Sequence, residues 1–182
     1  MKEEFFIPIL RDLRASVIRK YIKKGSIIAD IGCGTEAQFL KTLDGMKERI
    51  GIDMKLTARK IRGIKLVKRK IAKKIPLKSN SVGCITMLAV LEHLDHPVDV
   101  IKDSYRILRD NGVLILTTPS KFSIPIVWTL ANLGLSTPEE FYEHKYYFTK
   151  NHLKKILEDA GFRNIRVKRF QLGLNKYAVA YK

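Results

Sequence analysis

The segment Ile27–Glu36, with the sequence IIADIGCGTE, limits the folds open to this chain more than any other part of the sequence. An apolar run of strand length reaches an acid, Asp30, and then turns through two glycines, Gly32 and Gly34, that are one residue apart. Glycine is favoured where a backbone turns tightly or passes close to a ligand. The pattern is typical of a buried strand that ends in a binding loop, as in parallel α/β sheets.

Strand-like and helix-like segments alternate along the chain, as short apolar runs and as apolar residues spaced three or four apart. Strands are predicted at Ser26–Ile31, Ile50–Asp53, Ile64–Val67, Val82–Leu88, Val113–Thr118, Asn164–Phe170 and Tyr177–Tyr181. Helices are predicted at Glu3–Lys23, at Thr35–Leu43, after Pro97 and at Thr149–Ala160. Thr35 and Gln38 resemble a capping box at the start of the second helix. The third helix is predicted to stop at Asn111 and Gly112, and its inward face to consist of Val98, Ile101, Tyr105 and Leu108. This alternation predicts an α/β fold, a doubly wound and mostly parallel sheet with helices on both faces.

Length and composition indicate one domain, residues 1–182, of which 46% are hydrophobic. The N-terminus mixes charged with apolar residues and does not resemble a signal peptide. The most apolar segment, Ser123–Leu135, contains Pro125 and Asn132 and is shorter than the ~20 residues of a membrane span. Cys33 and Cys84 lack metal-type spacing, which favours a reducing compartment. We therefore expect a cytoplasmic protein without a transmembrane segment.

Positive charge is concentrated in one stretch of a chain whose formal net charge is +17. Ten basic residues and no acidic one lie between Lys55 and Lys74: Lys55, Arg59, Lys60, Arg62, Lys65, Lys68, Arg69, Lys70, Lys73 and Lys74. Such a stretch attracts RNA, phosphorylated small molecules or an anionic membrane surface, or is simply a solvated basic face.

Two classes of ligand compete for the glycine loop. Gly32, Gly34 and Ala37 satisfy the spacing G-x-G-x-x-A, and Asp53 lies about 20 residues after the loop, as in dinucleotide-binding proteins. Asp30 favours a different ligand, because a carboxylate two residues before the first glycine repels a pyrophosphate. S-adenosyl-L-methionine carries an ammonium group, a sulfonium and a ribose diol, which suit the acids at positions 30 and 53.

At the level of motifs, the chain resembles the class I S-adenosylmethionine-dependent methyltransferases, including the type 11 small-molecule enzymes. The resemblance is carried in order by IIADIGCGTEAQFL, IGIDM, IPLKSNSVGCITMLAVLEHLDHPVDVIKDSYRILRDNGVLILTTPS and HKYYFTKNHLKKILEDAGF. It implies a Rossmann-like sheet of seven strands whose last strand is antiparallel. It also implies an enzyme that takes its methyl group from S-adenosyl-L-methionine.

The resemblance assigns a cofactor-binding set: Asp30, Gly32, Cys33 and Gly34 at the methionine end, Asp53 at the ribose, Met54 at the adenine, and Ile71, Ala72 and Met87 around it. Three positions depart from the family pattern. Ile71 stands in place of an acid near the adenine, Glu36 in place of a further glycine, and Gly83 in place of an acid before the fourth strand. These departures leave open a non-catalytic protein with the same fold.

The acceptor side is predicted from residues after the fourth strand and from Ser120–Phe148, a lid or acceptor-binding insertion that contains Trp128, Phe141 and Tyr142. His93 and His144 are the candidate catalytic bases, with His96, Tyr146 and Tyr147 as weaker ones. Glu92, His93 and His144 also resemble three metal ligands of some O-methyltransferases, but Ala89 occupies the position of another ligand, so no metal site is predicted.

We expect methyl transfer to an oxygen, or a nitrogen, of a small-molecule acceptor. An RNA methyltransferase that uses the Lys55–Lys74 stretch is the alternative enzyme. A dinucleotide-dependent oxidoreductase remains a more distant one.

Overall fold

The computed structural model describes residues 12–58, 60–125 and 145–182. Its strands are β1 (Ile27–Ile31), β2 (Glu48–Asp53), β3 (Lys65–Lys68), β4 (Val82–Leu88), β5 (Leu108–Pro119), β6 (Arg163–Phe170) and β7 (Asn175–Tyr181). Its helices are α1, described over residues 12–19, α2 (Gln38–Lys41), α3 (Pro97–Ile107) and α4 (Lys150–Asp159), with short 3₁₀ turns at Leu91–His93 and Gln171–Gly173.

The seven strands form one sheet in the order β3-β2-β1-β4-β5-β7-β6. Strands β1 to β5 pair in parallel, whereas β7 is antiparallel to both β5 and β6. The predicted seven-stranded, mostly parallel sheet with an antiparallel last strand is therefore confirmed. The chain runs outward from β1 to β3 and then returns to place β4 on the other side of β1. Ligands of such sheets bind at this switch point, beyond the carboxyl ends of the strands.

The sheet is covered by helices on both faces, as predicted. Successive side chains of a strand point to opposite faces, and β1 follows this rule, since Ile28 joins one hydrophobic cluster while Ala29 and Ile31 join another. The first cluster contains Ala15 and Ile18 of α1 and Phe39 and Leu40 of α2. The second contains Val100 and Ile101 of α3 and Leu153 and Ile156 of α4. Within the described ranges, no helix combines the length and apolarity required to cross a membrane.

Helix α3 differs from its prediction in length and in the exposure of Val98. It ends at Ile107, because Leu108 is already extended and pairs with Val82 as the first residue of β5. Asn111, predicted to stop the helix, instead turns the backbone inside β5 with a φ of 61°. The buried face includes Val100, Ile101, Ser104 and Ile107, while Val98 is 38% exposed. Of the residues predicted to face inward, Ile101 and Leu108 are buried and Tyr105 packs against the core, so only Val98 departs from the prediction.

The capping box predicted for Thr35 is wrong. Helix α2 begins after Ala37, which has a left-handed φ of 50° and makes no side-chain cap. The Thr35 carbonyl instead accepts hydrogen bonds from the Thr57 and Ala58 amides, at 3.0 and 3.3 Å. Thr35 therefore belongs to the loop after β1, and its carbonyl ties this loop to the chain that follows β2. The prediction for α4 is confirmed, because Thr149 caps it by accepting a hydrogen bond from the His152 amide at 3.1 Å.

Asp103 of α3 anchors the segment that leads into β4. Its buried carboxylate accepts a hydrogen bond from the Ile75 amide at 2.6 Å and pairs with Arg106 at 2.6 Å. We expect Asp103→Ala to lower the free energy of unfolding by about 1–3 kcal/mol, since it leaves the buried Ile75 amide without an acceptor and removes the carboxylate partner of Arg106. Urea denaturation measures this loss.

The matched control is Asp159→Ala, which removes an exposed ion pair of 3.0 Å with Lys155 on α4. We expect a change within about 0.5 kcal/mol, as is usual for exposed pairs. Equal losses in the two variants would show that the carboxylate of residue 103 is not an anchor.

Candidate cofactor-binding site

The loop after β1 is fastened to the end of β2. Gly32 and Gly34 both adopt left-handed φ angles, 74° and 75°, which glycine reaches without steric cost. The Gly32 amide donates a hydrogen bond to the Ile52 carbonyl at 2.7 Å, and the Cys33 amide donates to the same oxygen at 3.3 Å. These bonds hold the turn against the neighbouring strand.

The two glycines serve different purposes. A Cβ atom on Gly32 would lie 2.3 Å from Cγ2 of Val90, so the loop packs directly against the segment after β4. A Cβ atom on Gly34 would meet no atom within 4 Å. The first glycine is therefore required by packing within the protein, whereas the second leaves its backbone open to a ligand.

Asp53 is half-buried at the end of β2 and faces this loop. Its Oδ2 accepts a hydrogen bond from the Gly34 amide at 2.8 Å, and its Oδ1 accepts one from the Lys55 amide at 2.7 Å. An ionised carboxylate has about four lone-pair sites, so one site on each oxygen is left for further donors. The geometry suits a ligand with two neighbouring hydroxyl groups.

Asp30 is buried in β1, next to Thr86 of β4. The Thr86 hydroxyl donates a hydrogen bond to Oδ1 of Asp30 at 2.6 Å, and the two residues are paired in the β1–β4 register. Burial raises the pKa of Asp30 from its ordinary 3.8 to about 7; the Thr86 bond opposes this rise, and the negative charge of Asp53 adds to it. A cationic ligand group beside Asp30 would favour the ionised carboxylate.

The remaining residues of the predicted cofactor set lie in different environments. Cys33 is buried, and desolvation raises the pKa of its thiol to about 12, so the thiol is neutral. Met54 is 53% exposed next to Asp53, Ile71 is buried and Ala72 is exposed. Met87 has no exposed surface and packs in the hydrophobic core, so its side chain is not accessible to a ligand in this structure.

On the other side of β1, a 3₁₀ turn from Leu91 to His93 follows β4. Glu92 of this turn is buried and His93 is half-buried. The Glu92 carbonyl accepts a hydrogen bond from the Lys145 amide at 2.9 Å, which brings the start of the segment 145–148 to the same place. His144, Trp128, Phe141 and Tyr142 lie outside the described residues. In the ranges that the structure covers, no three His, Cys, Asp or Glu side chains are grouped as a metal ion would require.

Three residues of this region were not predicted for the site. Thr86 and Val90 support Asp30 and Gly32, and Glu92 was considered only as a metal ligand. Counting back from the predicted end of β4 places Thr86 beside Asp30, so a register argument could have found it. The burial of Glu92 has no signal in the sequence, because an acid after a strand is usually exposed.

Comparison with known proteins agrees with this geometry. A family model described as a methyltransferase domain matches residues 5–167, which is most of the chain. An uncharacterized protein of Methanocaldococcus jannaschii is 30% identical over 128 residues, which cover 68% of this chain and 48% of that protein. The chain thus spans about half the length of this relative.

Two named methyltransferases are also similar. Demethylmenaquinone methyltransferase of Staphylococcus aureus is 24% identical over 188 residues, which cover 88% of this chain and 78% of that enzyme. The crystal structure of an S-adenosylmethionine-dependent methyltransferase from Thermotoga maritima has a TM-score of 0.70 at 18% identity, covering 93% of this chain and 87% of that chain. The family match and the shared fold together establish that the chain belongs to the S-adenosylmethionine-dependent methyltransferases of class I fold.

Proposed function

We propose that the protein transfers the methyl group of S-adenosylmethionine to an oxygen, or a nitrogen, of a small-molecule acceptor. The observation that carries the proposal is the placement of Asp30 and Asp53 on two neighbouring strand ends, with the open backbone of Gly34 between them. The chemical features of the ligand match this arrangement. Its ammonium and sulfonium are cations, and its ribose presents two adjacent hydroxyl groups.

Each part of the site has a role in this proposal. Asp30 favours the cationic methionine end, the Gly32–Gly34 loop lets that end approach the backbone, and Asp53 accepts hydrogen bonds from the ribose. The exposed Met54 side chain and the surface around Ile71 and Ala72 contact the adenine. When bound, the sulfonium supplies an activated methyl group, so the protein has mainly to position an acceptor and take up its proton.

A small-molecule acceptor is supported by the relative named for demethylmenaquinone, which matches most of this chain. His93 and His144 remain proposed residues of the acceptor side, and the segment from 120 to 148 between β5 and α4 remains the proposed acceptor-binding insertion of a single domain over 1–182.

Gly34→Ala tests the cofactor site against a matched control, Gly25→Ala. Both glycines have left-handed φ angles, 75° and 76°, and a Cβ atom on either meets nothing within 4 Å. We expect both substitutions to lower stability by about 1 kcal/mol because of backbone strain. Titration calorimetry with S-adenosylhomocysteine should show at least a roughly tenfold loss of affinity in Gly34→Ala only. Unchanged affinity in that variant would contradict the proposed path of the ligand.

The ionisation of Asp30 predicts how cofactor affinity depends on pH. The pKa of Asp30 without ligand is about 7, and the ligand ammonium favours the ionised form. We expect the affinity for S-adenosylhomocysteine to rise between about pH 6 and about pH 8, and this rise to vanish in Asp30→Asn. A flat profile in the wild-type protein would be inconsistent with a cation at this carboxylate.

The stability of the free protein should change in the opposite direction. The folded pKa of Asp30 is above its unfolded value, so the folded state holds more protons between the two values. Stability from this group is present below its ordinary pKa of 3.8 and is lost as pH rises through about 7. Thermal melting of wild-type protein and Asp30→Asn separates this contribution from those of other groups.

A second candidate, an RNA methyltransferase, is favoured by the edge of the sheet at β3. The nine basic residues described between positions 55 and 74 are all exposed: Lys55, Lys60, Arg62, Lys65, Lys68, Arg69, Lys70, Lys73 and Lys74. Lys70 pairs with Asp95 at 3.2 Å. Within the described residues, Arg62, Lys65, Lys68 and Arg69 form no ion pair with a carboxylate.

Charge reversal at this edge tests the second candidate. If RNA binds here, the triple variant Arg62→Glu, Lys65→Glu, Lys68→Glu should lose at least about tenfold in affinity for single-stranded RNA and show a weaker salt dependence. The control reverses Lys150, Lys154 and Lys155 on α4. Fluorescence anisotropy at several salt concentrations measures both. Equal losses would indicate a general effect of net charge and count against an RNA site.

A further inference from the structure

The Glu92 carboxyl group is buried and has no hydrogen-bond partner in the part of the chain that the structure describes. Its residue has no exposed surface, and among the described residues neither Oε1 nor Oε2 has a hydrogen-bond partner. The backbone at this position is well held, because the Glu92 carbonyl accepts the Lys145 amide at 2.9 Å. Buried polar groups are almost always satisfied, so a carboxyl group left without donors in a fixed turn indicates that a ligand supplies them.

The groups around Glu92 form a polar cluster, which we define as Glu92, Thr118, Tyr147 and Lys176. Thr118, near the end of β5, has a buried hydroxyl without a hydrogen-bond partner among the described residues. Lys176 of β7 is buried and donates a hydrogen bond to the Pro119 carbonyl at 3.0 Å. Tyr147 faces the cluster, where burial and the charge of Glu92 both raise the pKa of its phenol.

Charged groups from two elements act on the ionisation of Glu92. Arg14 of α1 and Lys176 of β7 both favour its ionised form, and so does the Thr118 hydroxyl. Burial acts more strongly in the opposite direction and raises the pKa of Glu92 from 4.5 to about 7. Glu92 and Lys176 form no ion pair in the described structure, so a ligand atom can interact with both.

The polar cluster lies on the acceptor side of the proposed cofactor site. Asp53, the proposed ribose ligand, ends β2 on one side of the glycine loop, while Glu92 follows β4 on the other side. Val90, two residues before Glu92, packs directly on Gly32. The Ala89 amide donates to the Thr117 hydroxyl at 3.0 Å, which joins the ends of β4 and β5 next to Thr118.

We propose that Glu92 is the catalytic base for a hydroxylated acceptor, and that Thr118 and Lys176 hold the acceptor oxygen beside it. This inference rests on the proposed methyl transfer and names its acceptor class, an ionisable hydroxyl of a phenol or an enol. The positive charge of Lys176 stabilises the oxygen as it loses its proton, which favours acidic hydroxyls over aliphatic ones.

The acceptor O–H bond breaks and its proton passes to a carboxylate oxygen of Glu92. The oxygen electron pair forms the new O–CH₃ bond while the C–S bond breaks, and that electron pair remains on sulfur, which gives neutral S-adenosylhomocysteine thioether. Glu92 returns its proton to water after the product leaves. A carboxyl group with a raised pKa is a stronger base than an exposed glutamate and is ionised in mildly alkaline solution.

Two phenols distinguish a base from a merely structural residue. 4-Methylphenol has a tyrosine-like pKa of about 10 and needs a base, whereas 4-nitrophenol is already ionised in buffer of about pH 9. Methyl transfer from S-adenosylmethionine to each probe is measured at about pH 9 in wild-type protein and in Glu92→Gln. We expect Glu92→Gln to lose about tenfold with 4-methylphenol, of which only about a tenth is ionised at this pH, and less than about threefold with 4-nitrophenol.

The controls keep the outcomes separate. Glu158→Gln, an exposed residue of α4, should leave both rates unchanged. Calorimetry with S-adenosylhomocysteine and thermal melting show whether Glu92→Gln folds and binds the cofactor, and Glu92→Asp replaces it as the test variant if it does not fold. Conversion of neither probe by wild-type protein, equal losses with both probes, or activity abolished by EDTA would each overturn the assignment. Absence of S-adenosylhomocysteine binding in the wild-type protein would instead refute the proposed function.

Discussion

The site depends on the attachment of the glycine loop to the end of β2. Two backbone bonds to the Ile52 carbonyl hold the turn, and the Asp53 carboxylate holds Gly34 at 2.8 Å. Without this attachment, the loop would have no fixed position relative to the strand that carries the second acid. The same contacts hold Gly32 where the Val90 side chain packs against it, so the segment after β4 lies against the loop. One set of hydrogen bonds therefore positions both halves of the site.

Three carboxyl groups at the ends of adjacent strands differ in how fully the protein satisfies them. Asp53 accepts two backbone amides, Asp30 accepts the Thr86 hydroxyl, and Glu92 accepts no hydrogen bond from the described residues. Desolvation accordingly raises the pKa of both Asp30 and Glu92 to about 7. Burial of these two carboxyl groups costs free energy in the protein without ligands. A cation bound at Asp30 and a hydroxyl group bound at Glu92 would offset that cost.

Much of this arrangement could be predicted from the sequence. The mostly parallel sheet of seven strands follows from alternating patterns and from a resemblance, and Asp30, Gly32, Gly34 and Asp53 follow from their spacing at strand ends. The errors arise where tertiary contacts override local signals. The Thr35 carbonyl accepts hydrogen bonds from the chain after β2 and the residue does not cap α2, and Val98 of α3 is exposed while Ser104 is buried. The acceptor side was predicted only in part, since two histidines were named and the adjacent Glu92 was considered only for its resemblance to a metal ligand.

The sequence alone determined the class of fold, the position of the binding loop and the two acids beside it. These features are local, because apolar periodicity, glycine and an acid at a strand end act through their immediate neighbours. Only the tertiary structure decided which acids are buried, and that Glu92, Thr118 and Lys176 meet although β4, β5 and β7 are far apart in the chain. Burial and charge coupling depend on what the fold packs around a side chain, and no spacing in the sequence encodes that directly.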